Sequence, residues 1–397
     1  MSTEQPELIA FSQHALGGVQ SFYYNLLSND SEGFFKKSWL LLEGKGHPGT
    51  LPPAPYNINE RIIKYDPADG AVHNSTIIEA YIANTPGVIL ANHKPELDAL
   101  LQHPKSNKVV FYLVHDVLYL ALAREYINVI DVLVTHNYEL YEELLKLFPF
   151  LSHVIFFLPY GINLAKETRK PNLTNVLKIA FVGRLCYEKG IYDLIKIDEL
   201  LKKQNVKVEW IIIGDGPEKE NFRADTKRKK NFVHKTLDTT EQIFAELKAC
   251  DIYILPSVLD GTPVAMLESM SVGLVPLIYR FNNGIKKVVT EGIGYVVEVK
   301  DVEQMASIIK KLDSDRGLLQ TQSANALNSA RKNFDVADRA NDYYNLFKRF
   351  AEFKREKSYQ LVDMTPFIKV SAEPSFTRKM KWKIKDALKY IRRKTGL

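Results

Sequence analysis

The segment Cys250–Tyr279, CDIYILPSVLDGTPVAMLESMSVGLVPLIY, decides the fold class. Ile252–Leu255 is a short apolar run closed by Pro256, and Leu274–Ile278 is a second, which predicts two buried strands of a parallel sheet. The span between them fits a helix, with Thr262 as N-cap, Pro263 at the first helical position and Gly273 as the residue that ends it. Strand, loop, helix, strand is the grammar of an α/β sheet. Two carboxylates punctuate it. Asp260 precedes the helix and Glu268 lies about one and a half turns inside it, so both can face one cleft above the strand ends. Each acid read alone is an ordinary solvated side chain; the pattern is what points to a site.

Working outward, the chain from residue 178 repeats the same grammar. Lys178–Val182 is a parallel-type strand that runs into Gly183, Arg184 and Lys189, with a helix from Ile191 onward. Two cations beside a helix N-terminus suit a diphosphate, Arg184 by bidentate pairing and Lys189 as a point charge. Val208–Ile213 ends in Gly214-Asp215-Gly216-Pro217, a turn that brings backbone towards the cleft. Phe232–Val233 is a short strand with His234 and Lys235 behind it, a wall for a base ring. The helix N-terminus at Gly261, Thr262, Pro263 and Val264 offers unpaired amides to a polar ligand edge.

The N-terminal half alternates strands and helices as well. Leu8–Phe11 is followed by Gly17 and Gly18 and then an amphipathic helix, Val19–Leu27, an arrangement that lets backbone approach an anionic ligand or simply makes a tight turn. Val88–Ala91 runs into Asn92 and His93, and Val109–Val114 into His115 and Asp116, polar residues just past strand ends. His115 fits a general base, a donor to sugar or phosphate, or a satisfied core histidine. The polar stretch around Asn163–Val176 reads as a linker.

Composition bounds the rest. A chain of 397 residues, 46% hydrophobic and 25% charged, is globular and long enough for two domains. Two cysteines, Cys186 and Cys250, make no disulfide framework and no metal-type Cys/His spacing accompanies them, so the expected metal set is none. The acidic start MSTEQPELIAF is unlike a secretory signal, and Val109–Ala123, broken by His115 and Asp116, is too short for a membrane span; a cytoplasmic location is expected. The net charge of +6 is uneven: residues 375–397 hold nine lysines and arginines against the single acid Asp386. Phe376, Met380, Ile384, Ala387 and Ile391 fall on one stripe of that tail, which predicts a basic amphipathic helix at an anionic membrane surface or packed across the domains. No nucleic-acid recognition module is present.

The ordered set FVGRLCYEKG (181–190), WIIIGDGPEKENF (210–222) and PSVLDGTPVAMLESMSVG (256–273) resembles the nucleotide half of glycosyltransferase family 4, which has the GT-B fold. The resemblance extends over nearly all of 8–348 through the Gly17-Gly18 loop, His115-Asp116 after a strand and Tyr160–Asn163 before the linker. It implies two doubly wound Rossmann-like α/β domains facing across a cleft: 1–163, a linker 164–177, 178–345, and C-terminal helices over 346–397. It implies roles too. Arg184 and Lys189 would hold the donor diphosphate beside Gly183 and Gly214. Glu268 would take the ribose hydroxyls, and Asp260, with the amides of Gly261–Val264, the donor sugar. Gly17 and Gly18 would approach the phosphate from the other domain, and His115 would stand at the catalytic centre. The family pattern usually has Glu at both ends of E-x7-E; here the first acid is Asp260, which bears on which sugar is recognised. No D-x-D pair stands where a metal would be expected, in keeping with metal independence. The implied activity is retaining transfer of a hexosyl or N-acetylhexosaminyl group from a nucleoside-diphosphate sugar, a co-substrate with no further cofactor, to a glycan or lipid-linked acceptor of bacterial-type surface polysaccharide. A non-catalytic GT-B partner subunit and a sugar-nucleotide epimerase are the alternatives.

Overall fold

The computed structural model describes residues 5–15, 18–46, 54–55, 57–105, 107–169, 176–237 and 239–355. Gly17 and the basic tail at 375–397 lie outside the described residues.

Two parallel sheets carry the chain. The first is built from β1 (Glu7–Gln13), β2 (Lys36–Gly44), β3 (Asn59–Tyr65), β4 (Gly87–Ala91), β5 (Lys108–Val114), β6 (Val132–Thr135) and β7 (Ile155–Phe157), in the order β3-β2-β1-β4-β5-β6-β7. The second has β8 (Leu177–Val182), β9 (Val208–Ile213), β10 (Phe232–Lys235), β11 (Ile252–Leu255), β12 (Val275–Tyr279) and β13 (Tyr295–Val297), in the order β10-β9-β8-β11-β12-β13. Both orders reverse at their first strand, so each sheet has a switch point, β1/β4 and β8/β11, where loops diverge and leave a crevice. The central strands are apolar without alternation because helices cover both faces. Every residue of β4, β5, β11 and β12 is buried.

The opening segment folds as expected, with one difference. The helix after β11 runs Val264–Val272 and ends at Gly273, but its N-cap is Pro263, which offers no side-chain cap, and not Thr262. A closing proline already fixes the entry of the chain, and the Thr262 hydroxyl is used elsewhere, as described below.

Asp251, at the head of that segment, anchors the linker. It is 1% exposed, its Oδ1 takes the Arg169 guanidinium at 2.7 Å, and its Oδ2 accepts the Lys178 N–H at 2.9 Å. Arg169 also donates to the Cys250 carbonyl at 3.0 Å. A buried charge needs such pairing, and here the pairing fixes where the linker meets the second sheet.

The chain returns to the first sheet at Asp335, ahead of the boundary at 345 read from the sequence. The Ile162 N–H donates to the Phe334 carbonyl and the Val336 N–H to the Ile162 carbonyl. The helix Val336–Lys348 then packs on the first unit, with Phe347 edge-on to Phe111 at 5.2 Å and Tyr343 edge-on to Phe22 at 5.3 Å. Two crossings of the chain thus tie the units together.

Candidate active site

The loops after β8 and β11 meet at the switch point of the second sheet. Gly190 makes the meeting possible: its φ of +69° is left-handed, and a Cβ there would stand 1.9 Å from the Pro256 carbonyl oxygen. Lys189, in the turn just before it, reaches Asp260 in the β11 loop and forms an ion pair with it. These two residues, assigned separate tasks from the sequence, are therefore direct partners. Asp260 Oδ1 also accepts the Gly261 N–H at 3.0 Å.

Arg184 is exposed at the end of β8 and makes no ion pair among the described residues. Its loop is laced to the GDGP turn: the Leu185 N–H donates to the Asp215 carbonyl at 2.8 Å and the Glu218 N–H to the Leu185 carbonyl at 3.0 Å. Gly214 lies behind Gly183, where a side chain would collide with the Gly183 carbonyl, so its part is to let the two loops stack.

Glu268 is partly buried in the helix Val264–Val272, and its carboxylate has no hydrogen-bond partner among the described residues. Burial pushes its carboxyl up to about 7. Its charge is felt by Tyr253 on β11 and by Tyr160 of the first unit, which places it on the shared cleft.

His234 differs from its expected place. It lies inside β10, half-buried, with Nε2 bonded to Thr226 Oγ1 at 2.8 Å and its ring edge-on to Phe222 at 5.5 Å. These contacts turn it onto the neighbouring helix Lys219–Thr226.

In the first unit, Gly18 opens the helix Gly18–Ser28, and its carbonyl accepts the Tyr160 hydroxyl at 2.7 Å. Among the described residues nothing lies within 4 Å of where a Cβ would stand. His115 is buried and both of its ring nitrogens are engaged. Asn92 Nδ2 donates to the Phe11 carbonyl at 2.6 Å, so Asn92 Oδ1 is an acceptor and takes hydrogen bonds from Tyr23 Oη at 2.8 Å and His115 Nε2 at 3.0 Å. His115 Nδ1 is then the acceptor for His136 Nε2 at 2.9 Å. Burial holds both rings neutral, His115 well below the ordinary range and His136 down to about 4. A general base needs a free nitrogen, and this network leaves His115 none. What His115 presents to the other unit is its carbonyl, which would lie 2.8 Å from a Cβ at position 261, so only glycine lets the donor loop come this close.

The units touch across that loop. Asn137 Nδ2 donates to the Gly261 carbonyl at 3.3 Å, Thr262 Oγ1 donates to the His136 carbonyl at 3.3 Å, and Asn282 Nδ2 donates to the Gly261 carbonyl at 3.1 Å. At the rim Glu139 accepts from the Asn283 N–H at 3.1 Å, and Lys287 pairs with Glu142 at 3.1 Å while lying over the Tyr138 ring. Asp116 faces the same loop, its carboxyl raised first by burial and also by the Asp260 charge. The structure thus pairs Lys189 with Asp260 and brings Gly261 and Thr262 of the same loop against His115, His136 and Asn137 of the first unit. Asn137 and Asn282 carried no site signal in the sequence.

Two doubly wound sheets facing across such a crevice define the GT-B class of glycosyltransferase folds. Residues 165–331 match the family described as glycosyl transferases group 1. Over 179 residues the chain is 26% identical to UDP-Gal:alpha-D-GlcNAc-diphosphoundecaprenol alpha-1,3-galactosyltransferase of Escherichia coli, covering 44% of this chain and 46% of that one. Among solved structures, sucrose-phosphate synthase from Thermosynechococcus elongatus superposes with TM-score 0.71 at 15% identity, over 87% of this chain and 99% of that one. The Anabaena protein HepE in complex with UDP and glucose gives TM-score 0.65 at 14% identity, over 86% and 99%. The solved structures establish the shared fold. The chain spans less than half the length of the first curated relatives it matches.

Proposed function

We propose that the protein is a retaining, metal-independent glycosyltransferase that moves a hexosyl or N-acetylhexosaminyl group from a nucleoside-diphosphate sugar to a glycan or lipid-linked acceptor in bacterial-type surface polysaccharide synthesis. The observation that carries this reading is Glu268, whose carboxyl burial raises to about 7 and whose carboxylate has no hydrogen-bond partner among the described residues. A partly buried carboxylate with no hydrogen-bond partner among the described residues is poised for a ligand's hydroxyl donors, and the ribose supplies two. The named relative transfers from UDP-Gal to a lipid diphosphate sugar, and HepE holds UDP and glucose in the same fold, which supports this substrate class.

In this reading Arg184 and Lys189 meet the diphosphate, whose charge grows as the anomeric C–O bond breaks. Asp260 and the amides from Gly261 to Val264 take the sugar hydroxyls. Gly17 and Gly18 approach the phosphates from the opposite side, and His115 contributes a fixed neutral wall. The acceptor hydroxyl attacks from the face the leaving group quits, gives its proton to a β-phosphate oxygen, and the configuration is retained. The place of work is the cytoplasm, with 375–397 as the contact to an anionic membrane face.

The test is a thermal-shift panel of UDP-, GDP-, ADP- and TDP-sugars against the full chain and its Glu268→Ala and Arg184→Ala variants. One nucleotide should raise the midpoint of the wild type and neither variant should respond. Equal responses in all three proteins would sink the assignment. The internal Lys189–Asp260 pair also suits a non-catalytic scaffold, which would bind no nucleoside diphosphate.

A further inference from the structure

We propose that Asn137 is a positioning residue that sets the donor-sugar loop according to how the two units meet, one side chain serving both. The inference rests on the transferase reading for its bearing on turnover. Its structural content is independent of that reading.

Asn137 ends the β6 loop and caps the helix Tyr138–Leu147: its Oδ1 accepts the Glu139 N–H at 2.8 Å and the Leu140 N–H at 3.3 Å. An amide oriented by two donors on its oxygen must aim its nitrogen the other way. There, Nδ2 finds the Gly261 carbonyl. Asn282 is oriented in the same manner, its Oδ1 accepting the Ile285 N–H at 2.9 Å and its Nδ2 donating to the Asp260 and Gly261 carbonyls at 3.3 and 3.1 Å. Two amides, one from each unit, therefore converge on one carbonyl of the loop that bears Asp260.

Packing against the His115 carbonyl supports one side of the loop and leaves the other to hydrogen bonds. A cavity of about 240 Å³ lies beside the loop, bounded by Asn137, Gly261, Thr262 and Asn282. A loop segment that borders a void is held on that side by its hydrogen bonds. Of those bonds, the Asn137 amide and the Thr262 hydroxyl cross between the units. When the units part, the loop loses them while Asn282 stays, so the carbonyl and the neighbouring amides change position with closure.

Asn137→Asp separates the two duties, because aspartate caps a helix as well as asparagine does but has no N–H to donate and places an anionic oxygen against the carbonyl. In the full chain, amide hydrogen exchange over 257–264 should rise about fivefold, the equivalent of one ordinary hydrogen bond, while 138–147 keeps its protection. UDP-glucose, and its GDP, ADP and TDP counterparts, serve as turnover probes. Nucleotide release from the one that binds should fall about tenfold in kcat, with the dissociation constant of the free nucleoside diphosphate unchanged. Asn137→Ser, which caps but is too short to reach Gly261, should behave the same way. Wild-type exchange over 257–264 in Asn137→Asp overturns the clamp, and raised exchange with unaltered kcat overturns its bearing on turnover. If the wild type itself binds none of the four nucleotides, the transferase reading has failed, and the exchange measurement still decides the clamp.

Discussion

Lys189 and Asp260, 71 residues apart, form an ion pair that joins the loops after β8 and β11 over the switch point of the second sheet. A bound diphosphate would compete with Asp260 for the same ammonium, so Lys189, unlike Arg184, is already paired before a donor arrives.

The two partners should respond differently to removal. Both are partly exposed, 25% and 15%, so either variant should cost folding stability no more than about 1 kcal/mol. Lys189→Ala should weaken calorimetric binding of the nucleoside diphosphate about tenfold or more, the worth of one charge-assisted hydrogen bond. Asp260→Asn frees the lysine, so nucleotide affinity should hold or improve while sugar transfer falls. Equal losses of nucleotide affinity in both would show that the pair acts only as a brace.

Glu268 and the buried histidines pull stability in opposite directions with pH. The Glu268 carboxyl is raised from 4.5 to about 7, so across that window the folded chain keeps a proton the unfolded chain releases, and stability falls as pH rises. His136 is lowered from 6.5 to about 4, so there the unfolded chain binds the extra proton and stability rises with pH; His115 shifts in the same sense. Glu268→Gln removes the first effect. Urea unfolding of that variant should show stability rising more steeply between pH 4.5 and 6.5 and exceeding wild type by about 3 kcal/mol at pH 8. An unchanged pH profile would contradict the buried position of this carboxyl.

Nucleotide binding should carry its own proton signature. Ribose hydroxyls favour the ionised Glu268, so binding near pH 6 should release a proton and tighten as pH approaches 8. Calorimetry in two buffers of different ionisation enthalpy reads the release directly. Identical heats in both buffers would count against Glu268 as the ribose ligand.

Asn92 is the hub of the buried network in the first unit. Asn92→Leu leaves the Phe11 carbonyl, the Tyr23 hydroxyl and His115 Nε2 without their partner, and unsatisfied buried groups cost about 1–3 kcal/mol each before the chain relaxes. A net loss of about 2–4 kcal/mol in urea unfolding is expected. A loss below about 1 kcal/mol would mean that the network re-forms around the apolar side chain.

Gly261→Ala addresses the approach of the units. Its Cβ would meet the His115 carbonyl at 2.8 Å, a contact that exists only with the units together. Transfer should fall while nucleotide binding to the second unit persists. Gly190→Ala should instead destabilise the second unit itself, since its clash with Pro256 is internal and its left-handed backbone strains any side chain. Thermal unfolding separates the two: a lowered midpoint for Gly190→Ala and a near-native one for Gly261→Ala.

The apolar runs at Ile252–Leu255 and Val208–Ile213, and the glycines that follow strands, were enough to specify parallel sheets, because a strand buried on both faces has no other composition open to it. Spacing within a single helix likewise predicts that Glu268 faces the side of the strand ends. Tertiary structure alone decided the partners. Lys189 and Asp260 meet because β8 and β11 are neighbours in the sheet although far apart in sequence, and the His115 ring is locked because Asn92 and His136 come from the strands on either side of β5. Thr262, which has the chemistry of a cap, became a contact between units because a proline had already shaped the helix entry. Local periodicity fixes which face a residue takes; whether that face meets solvent, a ligand or a buried partner depends on strand order and on the approach of a second unit, which no local pattern encodes.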